Sequence, residues 1–555
     1  MAQAARNPVI ETQAAADRDW WRGAVIYQIY PRSFQDSNGD GVGDIAGIIE
    51  RLPYVAELGA DAIWISPFFK SPMKDFGYDI SDYRAIDPMF GSLEDFDAMI
   101  AEAHRLNIKV MIDGVISHTS DQHPWFVESR SSRDNSKADW YVWVDAKPDG
   151  SPPNNWLSIF GGSAWQWDTT RLQYFMHNFL TSQPDLNFHN TDVQDALLDV
   201  VRFWMDRGVD GFRLDTINFY FHSQGLENNP ALPPEERNAQ TAPAVNPYNY
   251  QDHIYDKSRP ENLKFLERFR AVLNEYPAAA TVGEVGDSQR GLEVVAAYTT
   301  GDDRVNMCYA FDFLGPDKLD ANGVRKVLEE FGRVASDGWA CWALSNHDVV
   351  RHATRWGAGE QNVDAYLKVL SAMLMSLRGS VCLYQGEELG LGEVDIAYED
   401  LQDPYGKSMW PEFKGRDGCR TPMVWDQTKN GGFSTAKPWL PVPPEHVANA
   451  VSTQVGKSGS MLEHYRRFIA FRRNFPAFAK GDIEFLSADG AAVAFTRTEG
   501  NEKLVCAFNL GSTPAELALN IGSVETLTGH GFTAAAPANG KIKLEGYQAW
   551  FGRLA

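Results

Sequence analysis

Short apolar runs alternate with amphipathic segments along the first 390 residues of the chain. Eight of the runs are typical of strands covered on both faces, because they are apolar throughout and are bounded by Gly, Pro or Asp. These candidate strands are residues 24–30, 61–66, 109–116, 208–215, 280–285, 309–313, 342–348 and 381–388. Helical patterns such as 93–106 and 193–208 separate them. The alternation predicts an α/β fold, a (β/α)8 TIM barrel.

Three long polar segments interrupt this alternation. Residues 119–187 follow the third strand, are rich in aromatic residues, Asn, Gly and Pro, and predict an inserted domain. Residues 222–260 and 391–455 follow the fourth and eighth strands and predict loops at the barrel rim. After a helical pattern at 461–474 the chain changes to short runs separated by turn residues, which predicts a C-terminal all-β sandwich.

These changes of pattern predict a flexible N-terminal tail and three domains. The tail is residues 1–19, and the catalytic barrel is built from 20–118 and 188–475. The inserted domain is 119–187 and the C-terminal sandwich is 476–555.

Charge, cysteine content and the lack of long apolar runs limit the partners and the compartment that we expect. With 51 basic and 74 acidic residues, the net charge of -23 argues against nucleic acid or an anionic membrane. The five cysteines are odd in number and widely spaced, which favours buried thiols in a reducing compartment. The N-terminus lacks the apolar core of a signal peptide, and no apolar run reaches the roughly 18 residues that span a membrane. We therefore expect a cytoplasmic protein, a monomer or a homodimer.

Three carboxylates each stand at the end of a predicted strand. Asp215 ends GFRLD, Glu284 lies in TVGEV and Asp348 ends SNHD. A parallel barrel brings the C-terminal ends of its strands to one rim, where catalytic side chains collect. Cleavage of a glycosidic bond needs a nucleophile, a proton donor and a charge stabiliser, and carboxyl groups can supply all three. The sequence therefore predicts an enzyme that acts on sugars.

Residues next to these carboxylates suggest how each is tuned. Arg213 lies two positions before Asp215, on the same face of the strand, so we expect it to lower the pKa of Asp215. A buried structural ion pair is the alternative for that motif taken alone. The apolar surroundings of Glu284 predict a raised pKa, which suits a proton donor. His118, in DGVISH, and His347, beside Asp348, could bind sugar hydroxyls.

Aromatic rings stack on the apolar faces of sugars. The candidates near the rim are Tyr78, Phe160, Phe179 and Phe311.

A separate loop, DSNGDGVGD, has the composition of a site for a hard cation. Asp36, Asn38, Asp40 and Asp44, together with the carbonyl of Val42, offer the oxygen ligands that Ca²⁺ or Mg²⁺ takes. The loop is not an EF-hand, because its twelfth position is Gly47. A turn without a metal is the alternative.

The motifs DGVISH, GFRLDT, GEV and SNHD, in this order and spacing, resemble the conserved regions of the α-amylase family, glycoside hydrolase family 13. GDGVGD, SPMKDFGYDISDY, YQGEELG and GRDGCRTPMVW extend the likeness to its α-glucosidase and oligo-1,6-glucosidase branch, over residues 20–550. The resemblance implies Asp215 as nucleophile, Glu284 as general acid/base and Asp348 as transition-state stabiliser. It also implies that Asp79 and Arg416 clamp the glucose at the non-reducing end of the substrate. The residues around that sugar would be Tyr78, His118, Arg213 and His347. The loop DSNGDGVGD would bind a structural Ca²⁺.

The resemblance leaves substrate and acceptor open. Thr216 stands where α-1,4-acting members often have Thr and α-1,6-acting members Val, which implies a preference for maltose and short α-1,4-glucosides, with sugars or alcohols as acceptors. Ser117 departs from the Asn of many members, which we expect to affect only supporting hydrogen bonds. An oligo-1,6-glucosidase, or a glucosyltransferase or isomerase that acts on sucrose or makes trehalose, would share the same carboxylates. A scaffold relative without activity would lack some of them.

Overall fold

A computed structural model describes residues 17–335 and 337–555 of the chain. Eight parallel strands form one sheet in which neighbours in space follow chain order. They are β1 (Val25–Ile29), β2 (Ala62–Ile65), β3 (Lys109–Gly114), β4 (Gly211–Leu214), β5 (Ala280–Glu284), β6 (Met307–Tyr309), β7 (Cys341–Ala343) and β8 (Ser380–Tyr384). A parallel bridge between Cys308 and Ala340 brings the two edges together. The predicted TIM barrel is confirmed.

Eight long helices cover the barrel. They are Ile45–Leu58, Leu93–Arg105, Thr191–Met205, Asn262–Leu273, Gly291–Thr299, Ala321–Val334, Val363–Leu374 and Met461–Arg473. Polar caps fix where several begin: Asp44 accepts a hydrogen bond from the amide of Gly47, and Ser92 and Asp95 form a reciprocal capping box. Short helices lie at Pro124–Ser131, His352–Arg355, Pro404–Met409, Pro444–Ala448, Val451–Gln454 and Pro476–Lys480.

Several strand ends differ from the prediction, most of all those of β6, β7 and β8. β6 lies two residues earlier than predicted, and Phe311–Phe313 form a 3₁₀ turn instead of a strand. β7 and β8 stop at Ala343 and Tyr384, well before the ends of their apolar runs. The strand-like sequence pattern extends beyond β7 and β8 because the residues that follow these two strands are also buried, at the rim of the barrel.

Two excursions from the rim have strands of their own. The segment after β3 carries a three-stranded antiparallel sheet of Trp143–Val144, Gln173–Met176 and Trp165–Asp168, with Gln173–Met176 in the middle. The segment after β2 forms a hairpin of Phe69–Lys70 with Asp82–Ile86. Residues 222–260, after β4, contain only short 3₁₀ turns, at Pro234–Glu236 and Pro247–Tyr250.

The C-terminal region is antiparallel, as its pattern predicts. One sheet has five strands, in the spatial order Asp482–Asp489, Ala492–Glu499, Glu502–Asn509, Gln548–Leu554 and Val524–Thr526. A two-stranded sheet, Ala515–Ala518 with Lys541–Leu544, packs against it over Trp550. On the opposite face, Phe551 packs against Phe468 of the last barrel helix, which joins the sandwich to the barrel.

The five cysteines are buried free thiols, as predicted. Within the described ranges, no helix is both long enough and apolar enough to cross a membrane. Most of the predicted tail, residues 1–16, lies outside the described residues.

Candidate active site

The C-terminal ends of the barrel strands open into a cavity of about 440 Å³. Asp215, Glu284 and Asp348 all line it: the first two lie at the ends of β4 and β5, and Asp348 lies in the turn that follows β7. The other predicted site residues on its wall are Tyr78, His118, Phe160, Phe179, Thr216, Phe311 and Arg416. Arg213 and His347 are buried beside the wall and reach it through their hydrogen bonds.

Arg213 joins the two central carboxylates. Its Nη1 donates to Asp215 at 2.7 Å and to Asp113 at 2.8 Å, and its Nη2 lies 2.6 Å from Glu284. The hydroxyl of Tyr309 accepts hydrogen bonds from Nε and Nη2 of the same guanidinium. The guanidinium is fully buried, so a single positive charge serves three carboxylates.

Burial raises the pKa of both Asp215 and Glu284 to about 7, against the opposing effect of Arg213. Arg213 acts to lower the pKa of Asp215, as predicted, but the net pKa is raised, because loss of solvent outweighs a cation shared among three carboxylates. The raised pKa predicted for Glu284 is confirmed.

Asp348 has the opposite character. Burial acts to raise its pKa, but His347, Arg416 and Arg420 together hold it well below the usual range. Arg420 and Arg416 lie 2.9 and 3.2 Å from its Oδ1. Burial also keeps the pKa of His347 well below its ordinary value, so the two arginines carry the positive charge. Asp348 therefore stays ionised.

Tyr78, His347 and His118 form a packed group at the floor of the cavity. The rings of Tyr78 and His347 are stacked with centroids 5.4 Å apart, and the Tyr78 hydroxyl lies 2.6 Å from Nε2 of His347. His118 is 3.0 Å from the carbonyl of Tyr78, and burial lowers its pKa to about 4, so its imidazole is neutral. Ser117 lies 2.8 Å from Nδ1 of His118 and 3.1 Å from the Thr216 hydroxyl, the supporting role expected of it.

The structure does not bring Asp79 into the cavity. Its side chain is fully buried and accepts hydrogen bonds from the amides of Lys74 and Asp75 and from the Ser71 hydroxyl, so it holds the turn together. Arg416 pairs instead with Asp75, which lines the cavity. The prediction that Asp79 and Arg416 form a clamp is therefore wrong for Asp79, because the carboxylate beside Arg416 in the cavity is that of Asp75.

Sequence reasoning missed several residues that shape the site. They are Asp75, Asp403, Arg420, Tyr309 and the cavity-lining segment 239–244. Asp75 carried a usable signal, since it stands three positions before Tyr78 in KDFGYD. Tyr309 is the last residue of β6, but the residue pattern placed it first in the run 309–313, so its position at the strand end was not recognised. Segment 239–244 carries no catalytic side-chain type that would single it out.

The predicted cation loop is folded on itself. Asp36 accepts hydrogen bonds from the amides of Gly39 and Gly41, and Asp44 from those of Gly47 and Ser37. In the part of the chain that the structure describes, no three or more His, Cys, Asp or Glu side chains are grouped so as to hold a metal. The donor set still suits a hard cation: Asp36 and Asp44 are nearly buried, and neither pairs with a basic side chain of the described residues. Cation binding at this loop stays a prediction.

Comparison with known proteins agrees with this geometry. The α-amylase catalytic domain matches residues 28–481. The chain belongs to the α-amylase family. It is a glycoside hydrolase, similar to α-glucosidases and oligo-1,6-glucosidases.

Three relatives show how far the likeness extends. A probable α-glucosidase of Rhizobium meliloti (strain 1021) is 66% identical over 549 residues, which cover 99% of this chain and 100% of that protein. An oligo-1,6-glucosidase of Heyndrickxia coagulans is 38% identical over 528 residues, 89% of this chain and 92% of that protein. The crystal structure of the α-glucosyl transfer enzyme XgtA is 54% identical, with a TM-score of 0.94 over 97% of this chain and 100% of that chain.

Proposed function

We propose that this glycoside hydrolase is a retaining, exo-acting α-glucosidase. It releases α-glucose from the non-reducing end of maltose and of short α-1,4-glucosides. The observation that carries the proposal is that one buried arginine pairs two carboxyl groups of the cavity wall: Nη1 of Arg213 donates to Asp215 at 2.7 Å, and its Nη2 lies 2.6 Å from Glu284. Retaining cleavage needs a carboxylate nucleophile and a carboxyl group that can donate a proton, and the pKa of Glu284, raised to about 7, suits the donor. Asp348, whose pKa is held well below the usual range, supplies a third, ionised carboxylate.

In the first step, Glu284 protonates the leaving oxygen while Asp215 attacks the anomeric carbon, which gives a covalent glucosyl-enzyme. Glu284, now ionised, then takes a proton from water, whose oxygen attacks the same carbon and releases Asp215. Two inversions leave the α configuration unchanged. Arg213 holds both carboxylates in place, and ionised Asp348 stabilises the positive charge that develops on the sugar.

Cavity size and polar contacts support a short substrate. A volume of about 440 Å³ lies at the small end of the range for ligand sites, which suits a disaccharide. Asp75 and Arg416 offer a carboxylate and a guanidinium to sugar hydroxyls, while Phe160, Phe179 and Phe311 offer ring faces.

An alcohol in place of water would give transglucosylation. Apolar side chains on the cavity wall support this reaction, because they favour an organic acceptor over water; Leu314, Pro316 and Val349 are examples. The similar enzyme XgtA is described as an α-glucosyl transfer enzyme, which also supports transglucosylation.

Thr216 supports α-1,4 over α-1,6 linkage. It lines the cavity next to Asp215, and its hydroxyl lies 3.3 Å from an oxygen of that carboxylate. The test is glucose release from maltose and isomaltose, measured in parallel, with the inactive Asp215→Asn protein as control. We expect faster release from maltose, and Thr216→Val should raise the isomaltose-to-maltose rate ratio about tenfold. Faster release from isomaltose by the unaltered enzyme would instead favour an oligo-1,6-glucosidase.

A further inference from the structure

Lys257 is a buried lysine next to the active site that the mechanism above does not use. It is 2% exposed and lies near the end of segment 222–260, which follows β4. Its Nζ donates to the carbonyl of Gly286 at 2.7 Å and to the hydroxyl of Tyr248 at 2.9 Å. The ammonium also lies about 5 Å above the rings of Phe219 and Tyr248. Burial of a lysine is costly, so a lysine held this closely calls for an explanation.

The first contact fixes the chain just beyond Glu284. Gly286 lies two residues after Glu284 and itself lines the cavity. Asn218 donates to the Gly286 carbonyl at 3.2 Å and accepts from its amide at 3.0 Å. Lys257 gives the same carbonyl a second donor, so the backbone that directs Glu284 into the cavity is held from two sides.

The second contact fixes one wall of the cavity. Tyr248 packs in an apolar cluster with Phe219 and Ala242. Its neighbour Asn249 donates to the carbonyls of Ala242 and Pro243, both at 3.0 Å. Those two residues belong to segment 239–244, which lines the cavity.

This wall lies on the Glu284 side of the site. Asn238 donates to the carbonyl of Ser288, four residues beyond Glu284, and Gln240 faces Gly315. A proton donor must lie beside the oxygen that leaves. The wall at 239–244 therefore borders the space for the leaving group and the acceptor, and Lys257 ties it to the backbone next to Glu284.

We propose that Lys257 is a positioning residue. It fixes Glu284 and the cavity wall at 239–244 relative to each other, so that the oxygen of the leaving group lies within hydrogen-bond distance of the Glu284 carboxyl group. The inference rests on the proposed role of Glu284. A purely structural lysine would affect all substrates alike. A positioning residue affects most the substrates whose leaving group needs a proton.

The test compares maltose with 4-nitrophenyl α-glucoside, whose leaving group needs little protonation. Lys257→Met keeps the length of the side chain and removes both hydrogen bonds. We expect kcat/KM on maltose to fall about tenfold more than on the nitrophenyl substrate, as a small misplacement of the acid predicts. Lys264→Met, at an exposed lysine on the next helix, is the matched control and should leave both values unchanged. Equal losses on the two substrates, or no loss, would overturn the proposal.

Glu284→Gln separates this proposal from the proposed function. If that variant loses both substrates equally, the acid role of Glu284 fails. If it spares the nitrophenyl substrate and Lys257→Met does not, only the role of Lys257 fails. Should Lys257→Met not fold, Tyr248→Phe cuts the link to the wall and leaves the contact with Gly286. We expect it to raise KM for maltose about threefold at nearly constant kcat, as loss of one hydrogen bond predicts, and an unchanged KM would overturn the proposal.

Discussion

Arg416 pairs with Asp75 at the cavity wall, its Nη2 2.8 Å from Oδ1 of the carboxylate, although 341 residues separate them along the chain. Asp75 follows β2, and Arg416 belongs to the long segment after β8. Asp403 binds the same guanidinium from the other side, through Nε and Nη2. The arginine therefore holds the two segments together and also presents charge to a sugar.

Asp75→Asn should weaken sugar binding, because it removes the carboxylate from this pair. We expect kcat/KM on maltose to fall about 100-fold, the size of effect that loss of a hydrogen bond to a charged group can have. Asp79→Asn is the matched control: it should lower the melting temperature and change kcat/KM much less. Steady-state kinetics and thermal unfolding of both variants check this. A larger kinetic loss in Asp79→Asn would restore Asp79 to the clamp.

The mistake over Asp79 shows what the sequence could not resolve. Asp75 and Asp79 are four residues apart in one motif and have the same chemistry. Between them the backbone reverses through left-handed conformations, φ 52° at Phe76 and 108° at Gly77. The direction of each side chain depends on that turn, and the residue pattern does not report it.

The position of the three carboxylates at the rim was predictable for a physical reason. Strands buried on both faces leave apolar runs, and the polar residue that ends such a run faces the rim; this is how Asp215, Glu284 and Asp348 could be found. The pKa of Asp215 could not be predicted in the same way. It depends on how much solvent is lost and on how many carboxylates share Arg213, and both follow from the assembled barrel.

The pH dependence of activity should report the proton on Glu284. Burial raises its pKa to about 7, so the donor loses its proton as the pH rises through that value and kcat/KM should fall above it. With 4-nitrophenyl α-glucoside the decline should be shallower, because that leaving group needs little protonation, and Glu284→Gln should remove what remains, because its amide does not ionise. Profiles of kcat/KM against pH for both proteins check this. A decline that persists unchanged in the variant would assign it to another group.

Stability should also depend on pH, through a buried glutamate away from the substrate. Burial raises the pKa of Glu387 from 4.5 to about 8, and the Tyr465 hydroxyl donates to it at 2.9 Å. The folded state thus keeps a proton that the unfolded state releases, so the free energy of unfolding falls as pH rises from 4.5 to about 8. The loss is on the order of a few kcal/mol.

Glu387→Gln cannot ionise and should lose this dependence. The melting temperature of the unaltered protein should drop between about pH 4.5 and about pH 8, and that of the variant should drop less. Parallel curves for the two proteins would show that Glu387 does not carry the effect.

Removal of divalent cations should destabilise the protein if the loop at Asp36–Asp44 binds one. We expect EDTA to lower the melting temperature by several degrees, and Ca²⁺ or Mg²⁺ to restore it, because buried carboxylates lose their counter-charge. Asp36→Asn should be less stable and no longer respond to EDTA. A melting temperature of the unaltered protein that EDTA leaves unchanged would support the alternative, a turn held by its own hydrogen bonds.

In the proposed mechanism, Asp215 forms a covalent bond to the glucosyl group. A fluorinated glucosyl fluoride, whose glucosyl-enzyme hydrolyses slowly, should trap this species, and mass spectrometry of peptides locates the label. We expect one added glycosyl mass per chain, on the peptide that contains Asp215, and no label in Asp215→Asn. A label on another residue, or steady turnover of the reagent with no trapped species, would contradict it.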